Sequence, residues 1–286
     1  MLPVALGLGA ALSIGVSNIA AGLASRRLTP LIVGFWAQAT GLALCTLLLL
    51  LLRPPLLPGQ IAGGLIAGLA GGLGMVFFYR AMAAGAISLV SPITACAVVF
   101  PVLYAIASGE NPTPLATAGI AAIIGGIVLA SLQPAPVPGD PTDTGLAGDR
   151  RAIALAVLAA MLFGAFFILL DLAPSATGAS TLWTAAAVRV SGFGVQAALV
   201  LAGPRRLSSP GRLAPAVMLA GALDLLSLIL INIGSTTDSY GIVTALVGLY
   251  PVVAMLLGVV ALRERLTRIQ TSGAALAMAG VLLVSA

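Results

Sequence analysis

Apolar runs of about twenty residues, the length that crosses a bilayer as a helix, recur along the whole chain and are broken by short polar or turn-forming stretches. Ten can be marked, over 3–24, 31–52, 61–83, 87–107, 114–132, 152–171, 180–202, 213–233, 241–262 and 268–285. Inside lipid every backbone N–H and C=O needs a partner within its own segment, which a helix supplies. The pattern therefore predicts an all-α membrane protein of ten transmembrane helices. The breaks carry turn chemistry: Arg26-Arg27 with Thr29-Pro30, Arg53-Pro54-Pro55, Gly109-Glu110-Asn111-Pro112 and Gly203-Pro204-Arg205-Arg206. The least apolar stretch, QPAPVPGDPTDTGLAGDRR (133–151), is rich in Pro, Gly and Asp and reads as a flexible linker. It divides the chain into halves of five segments, 1–132 and 152–286. The basic residues nearest the first segment follow it, so that segment is expected to stay as a mature helix and not to serve as a signal peptide.

Charge orients the segments. One set of alternate loops carries Arg26, Arg27, Arg80, Arg150, Arg151, Arg205, Arg206, Arg212, Arg263, Arg265 and Arg268; the other carries Arg53. The excess of positive charge on cytoplasmic loops makes the Arg-rich side cytoplasmic and turns both termini outward. Trp36 and Trp183 fall near segment ends, as do Phe77, Phe78 and Tyr79, where aromatic side chains anchor at the interface.

Composition agrees. Of 286 residues 60% are hydrophobic and 7% charged, and mean hydropathy is +1.16. A soluble surface needs roughly 25% charged residues. The net charge of +5 comes from 13 basic residues, all Arg, which fit topology and anionic lipid and not nucleic acid. Without Lys there is no phosphate-loop lysine, so an ATP-driven pump is not expected. Without His there are no His-based zinc sites, Ser-His triads or His relays. Cys45 and Cys96 lie in apolar segments as small hydrophobes. The linker acids Asp140, Asp143 and Asp149 lack metal-loop spacing, and Glu264 between Arg263 and Arg265 reads as a local ion pair or cap. No metal or cofactor is expected. Gly64, Gly68 and Gly72 allow close helix packing or a dimer face, so monomer and homodimer stay equally open.

The halves repeat. A shift of 154 positions brings Glu110 onto Glu264, Thr113 onto Thr267, Gly119 onto Gly273, Gly126 onto Gly280 and Ser131 onto Ser285. Five segments is an odd number, so the two copies must lie inverted in the membrane, an architecture of secondary transporters with a site between the repeats. Pro92 and Pro101 interrupt segment four and Pro251 the matching segment nine, which marks them as kink or gating positions. LRERLTRIQTSGAALAMAGVLL (262–283) resembles the repeat ending of the EamA-type group of the drug/metabolite transporter superfamily, where a Gly-Glu-Arg-Leu-like turn leads into a Gly-rich last helix. SGENPTPLATAGIAAIIGGIVL (108–129) is a looser copy with Asn-Pro after the Glu. The resemblance implies ten helices in two five-helix repeats and export of small molecules such as amino acids, other metabolites or drugs.

Two charges stand inside apolar runs, where each costs roughly 2.5–3.5 kcal/mol even on the mild insertion scale. Arg189 lies mid-way along segment seven and Asp224 mid-way along segment eight, at comparable depth. A pair between them would cancel both; it would be a packing device, or a site where Asp224 leaves its partner for a proton, a cation or a substrate amine. Ser227, on the face of Asp224, and Gln196, seven residues from Arg189, extend a polar face. Asn18, Gln38 and Asn232 are further candidates, while Ser13, Ser17, Thr40, Ser88 and Ser91 fit bonding between helices. A single mid-membrane carboxylate without His gives no catalytic constellation, so an intramembrane enzyme is not expected. The sequence supports a secondary carrier in the plasma membrane, with a small-molecule substrate and the bilayer as partners. A carrier of lipid-linked intermediates on the same scaffold is the alternative.

Overall fold

The computed structural model describes residues 2–25, 27–84, 90, 93–131, 145–173, 180–203, 207–262 and 267–285. Among them are ten helices and no strand: α1 Leu2–Ser25, α2 Pro30–Leu52, α3 Gln60–Ala84, α4 Ile93–Ala107, α5 Pro114–Ser131, α6 Gly145–Leu172, α7 Thr181–Ala202, α8 Ala214–Gly234, α9 in two pieces (Tyr240–Val247 and Tyr250–Leu262) and α10 Arg268–Ser285. Six of them, α1, α2, α3, α6, α7 and α8, are long and apolar enough to cross a membrane unaided; α4, α5, α9 and α10 are shorter apolar helices.

Local chemistry sets the ends. Pro30 opens α2, where its missing N–H is no loss. Arg53 closes it in left-handed backbone (φ 42°, ψ 51°), its N–H held by the Leu49 carbonyl. Thr113 Oγ1 accepts the Ala116 N–H at the start of α5. At the start of α10, Thr267 and Gln270 exchange side-chain bonds of 3.0 and 3.2 Å in a capping box. Two boundaries differ from the sequence reading. α6 begins at Gly145, inside the stretch read as linker; the last proline of that stretch is Pro141, so nothing after it forbids a helix. Segment nine is two helices: Pro251 has no N–H to bond the Val247 carbonyl, and regular structure stops at Val247 and resumes at Tyr250.

Packing exchanges the halves. α1 packs on α8 and α9, and its counterpart α6 packs on α3 and α4. α3 packs on α7 as α8 does on α2, while α2 meets α7, α4 meets α9 and α5 meets α10. Close approaches fix the directions. Gly64, Gly68 and Gly72 meet Thr184, Ser191 and Val195 in turn, so α3 and α7 are parallel. These glycines thus serve a contact inside one chain. Gly7 and Gly15 meet Leu246 and Val253, so α1 and α9 are parallel too. Gly71 and Gly74 meet Phe166 and Phe163, and Gly34 and Gly41 meet Gln196 and Arg189, so α3 with α6 and α2 with α7 are antiparallel. Helices of equal parity run together and those of unequal parity run opposed. The chain therefore threads up and down at every crossing, and α1 runs opposite to α6: the repeats are inverted.

The pseudo-two-fold axis can be followed through three crossings. α5 and α10 meet through glycine, Gly119 against Gly280 and Gly126 against Gly273; a methyl on Gly126 would sit 2.4 Å from the Ala277 nitrogen. α4 and α9 meet where each is interrupted. A 3-10 turn, Cys96–Val98, precedes Pro101 as the break at Gly248 precedes Pro251, and a methyl on Gly248 would lie 2.8 Å from Val98 Cγ2. Val98 and Gly248 are 150 residues apart, as are Pro101 and Pro251. The third crossing, of α2 with α7, carries the charged residues.

Candidate functional site

Arg189 is 4% exposed on α7, between α2 and α8. Gly41 of α2 leaves the room: a methyl there would come within 3.5 Å of both Cδ and Cζ of the arginine. Its Nη1 donates to Asp224 Oδ2 of α8, an ion pair, and to Gln38 Oε1 of α2 at 2.9 Å. Three helices from both halves therefore converge on one guanidinium nitrogen. Gln38 and Arg189 are 151 residues apart, as are the helix starts Pro30 and Thr181, so the two hold matching positions and meet on the axis. Gly41 beside Arg189 and Gly192 beside Gln38 repeat the match.

Asp224 is open in an unexpected place. Met218, Leu219 and Leu226 are exposed and mark the outward face of α8. At 100° per residue Asp224 lies about 160° from Leu226, among buried Val217, Ala220, Gly221, Leu228 and Ile231. Its side chain is nevertheless 42% exposed. A carboxylate that accessible on the protein-facing side has a gap beside it among the packed helices. Toward the Arg-poor end the same helices continue through Cys45, Leu182, Ala185, Leu225, Leu228 and Ile231, one buried apolar cluster that seals the site. Toward the Arg-rich end Asn18 and Gly22 of α1 share the face of fully buried Ala11, yet Asn18 is exposed and a methyl on Gly22 would touch nothing within 4 Å.

The remaining candidates divide. Gln196 is buried one level below Arg189, tight against Gly34. Ser227 is buried and donates to the Asp224 backbone carbonyl at 2.7 Å, so its hydroxyl is spent within α8. Asn232 is buried with no partner for Nδ2, and Arg189 Nε is likewise without one. Ser13 and Ser17 bond the carbonyls of Gly9 and Ala220, and Thr40 that of Trp36. Pro101 is buried and Pro251 half-buried, each just after an interruption. Pro92, Ser88, Ser91 and Glu264 lie outside the described residues.

A second polar cluster was not found from the sequence. At the Arg-poor end Glu110 Oε2 accepts the Gly241 N–H at 2.8 Å and caps α9. Asp171, at the end of α6, is close enough to repel it. Tyr240 is buried beside them and donates to the Phe167 carbonyl at 2.9 Å. Burial pushes the Glu110 carboxyl above its usual range, against the lowering pull of the Gly241 and Ile242 N–H groups. Glu110 is visible as a repeat landmark, but its nearness to Asp171 comes from the packing of α4 on α6 and leaves no spacing signal. Among the described residues no group of three or more Cys, Asp or Glu could hold a metal ion.

The model of the EamA-like transporter family matches residues 1–132 and 150–286, one copy on each half. Twenty-five chains of solved structures match the fold. One, described only as a crystal structure of a protein, superposes with a TM-score of 0.76 at 19% identity, covering 98% of this chain and 95% of its own. A search of curated protein sequences finds no relative. Two family matches over nearly the whole chain, falling on two inverted five-helix repeats, place this multi-pass membrane protein in the EamA-like transporter family, whose members carry small molecules.

Proposed function

We propose that this protein is a secondary active carrier of the plasma membrane, an exporter of small metabolites such as amino acids or drug-like compounds. It works by alternating access, the two repeats rocking about a midplane site formed by Arg189, Asp224 and Gln38. The observation that carries this reading is the Asp224 carboxylate, accessible on the inward face of α8 while paired to a buried arginine. A packing pair would have both members enclosed; here the arginine is held by α2 and α7, and the carboxylate stays free to meet a solute. A proton, a cation or a substrate amine that takes Asp224 leaves Arg189 its hydrogen bond to Gln38. The interrupted α4 and α9, crossing at Val98 and Gly248, are the helices best built to bend as the halves move. Closure at the Arg-poor end and openness along α1 at the Arg-rich end support an inward-facing state.

The test is the outside-to-inside ratio of a broad metabolite panel in cells expressing wild type or Asp224→Asn at equal membrane levels. A shift for one compound class in wild type, abolished in the variant, is expected. A shift that survives in the variant reduces Asp224 to a packing residue. No shift for any compound, with both proteins in the membrane, turns attention to lipid-linked cargo.

A further inference from the structure

Two tryptophans make the same unusual contact at opposite ends of the molecule. Trp36 of α2 donates its indole N–H to the Ser208 carbonyl, in the loop between α7 and α8, at 2.9 Å. Trp183 of α7 donates to the Pro54 carbonyl, in the loop between α2 and α3, at 3.0 Å. α2 and α7 are counterparts and Pro54 and Ser208 are 154 residues apart, but the two indoles do not hold matching positions: at the 151-residue offset of these helices Trp36 falls on Ala187. Each bond thus runs from the second helix of one half to the loop after the second helix of the other. Because the halves are inverted, the Trp36 bond lies at the Arg-rich end, near Arg27 and Arg212, and the Trp183 bond at the Arg-poor end, near Arg53.

An indole that only anchors a helix at the interface needs its ring and a wet N–H, not an acceptor on the opposite repeat. From these two contacts we infer that Trp36 and Trp183 are a pair of latches, each tying the two repeats together at one face and each opposing the full opening of that face. The inference rests on the alternating-access reading above. The acceptors are backbone carbonyls in proline-bounded loops, fixed at Pro54 by the left-handed Arg53 before it. The Arg-poor end has further bonds between halves. Gln60, fully buried, donates Nε2 to the Ser180 carbonyl at 3.0 Å, while its Oε1 accepts the Leu57 N–H at 2.8 Å. These bonds, with that of Glu110 to the Gly241 N–H, agree with a structure closed on the Arg-poor side.

Cys45 supplies a reporter that needs no substrate. It is buried, its thiol directed to the Leu182 carbonyl next to Trp183, in the apolar cluster that seals the Arg-poor side. In a Cys96→Ala background, in right-side-out and inside-out membrane vesicles, the rate of Cys45 modification by a membrane-impermeant maleimide is measured from each face. Phe in place of Trp keeps the ring and removes the donor. Losing one neutral hydrogen bond changes a population roughly two- to tenfold. Trp183→Phe is expected to raise modification from the Arg-poor face by that factor, and Trp36→Phe to lower it. Rates that stay unchanged, or that move the same way in both variants, overturn the latch assignment; a rise from both faces in either variant also overturns it, as a loosened fold. The readout is independent of cargo. A metabolite shift with unmoved Cys45 rates therefore sinks the latches and keeps the carrier, and opposite Cys45 shifts without any transported compound do the reverse.

Discussion

Gln38 and Arg189 occupy the same place in the two halves of the chain and are hydrogen-bonded to each other, Nη1 to Oε1, at 2.9 Å. An inverted repeat brings matching positions face to face on its axis, and two identical charges there would repel. The chain resolves this by placing a neutral acceptor in one copy and the cation in the other. The counter-charge, Asp224, comes from α8 alone; its counterpart α3 is uncharged along its apolar length until Arg80. Symmetry supplies the two-sided scaffold, and its local breaking supplies a single charged site.

The two members of the ion pair differ in exposure, 4% for Arg189 and 42% for Asp224, so their loss should not be equivalent. Asp224→Asn leaves a buried guanidinium supported only by Gln38. Arg189→Gln leaves a carboxylate that water already reaches. Removing one partner of a fully buried pair costs about 3–5 kcal/mol, and access to water reduces this. In thermal melts of the purified protein Asp224→Asn should be the more destabilising, by about 1–3 kcal/mol, and the double variant should cost less than the two singles together.

The α5–α10 contact predicts a position-specific penalty. Gly126→Ala and Gly273→Ala each place a methyl 2.4 Å from a backbone nitrogen of the partner helix, so the helices must part. Each should destabilise by about 1–3 kcal/mol, and by similar amounts because the axis relates them. Gly125→Ala meets nothing nearer than 3.6 Å and should gain up to about 1 kcal/mol from helix propensity. Melting temperatures of the three variants check the order.

Glu110 makes stability depend on pH with a definite sign. Its carboxyl is raised above the ordinary range by burial, so the folded protein holds that proton more tightly than the unfolded chain. The resulting contribution is fully present below the unfolded value and is lost as pH rises through the folded one. Glu110→Gln should flatten that part of the melting profile. A profile as steep as wild type would show that other groups carry it.

Much of this was legible in the sequence because the membrane makes its demands on composition. Ten apolar runs, an odd number per half and a Pro/Gly/Asp-rich divide gave the repeat, and Arg189 and Asp224 stood out because charges inside such runs are scarce. Gly119, Gly126, Gly273 and Gly280 could be aligned because backbone contact accepts only glycine there. Gln38 meeting Arg189 could not be read: α2 and α7 share little sequence, and the contact follows from where the axis falls. The indole bonds were hidden for a related reason, since a backbone acceptor in a distant loop leaves no residue type to recognise. The openness of Asp224 depends on neighbouring helices diverging, which no pattern on α8 alone encodes.

The proposed site requires the inward face of α8 to border a water-filled interior at Asp224. The most direct measurement replaces Cys45 and Cys96 by Ala and introduces one cysteine at a time at Asp224, Leu226 and Leu228. Modification by a membrane-impermeant maleimide is then followed from each face. Leu226 faces outward and Leu228 is in the core, so neither should react appreciably. Rapid modification at position 224 from the Arg-rich face is expected. A thiol at 224 as unreactive as those at 226 and 228, in a folded protein, would contradict it.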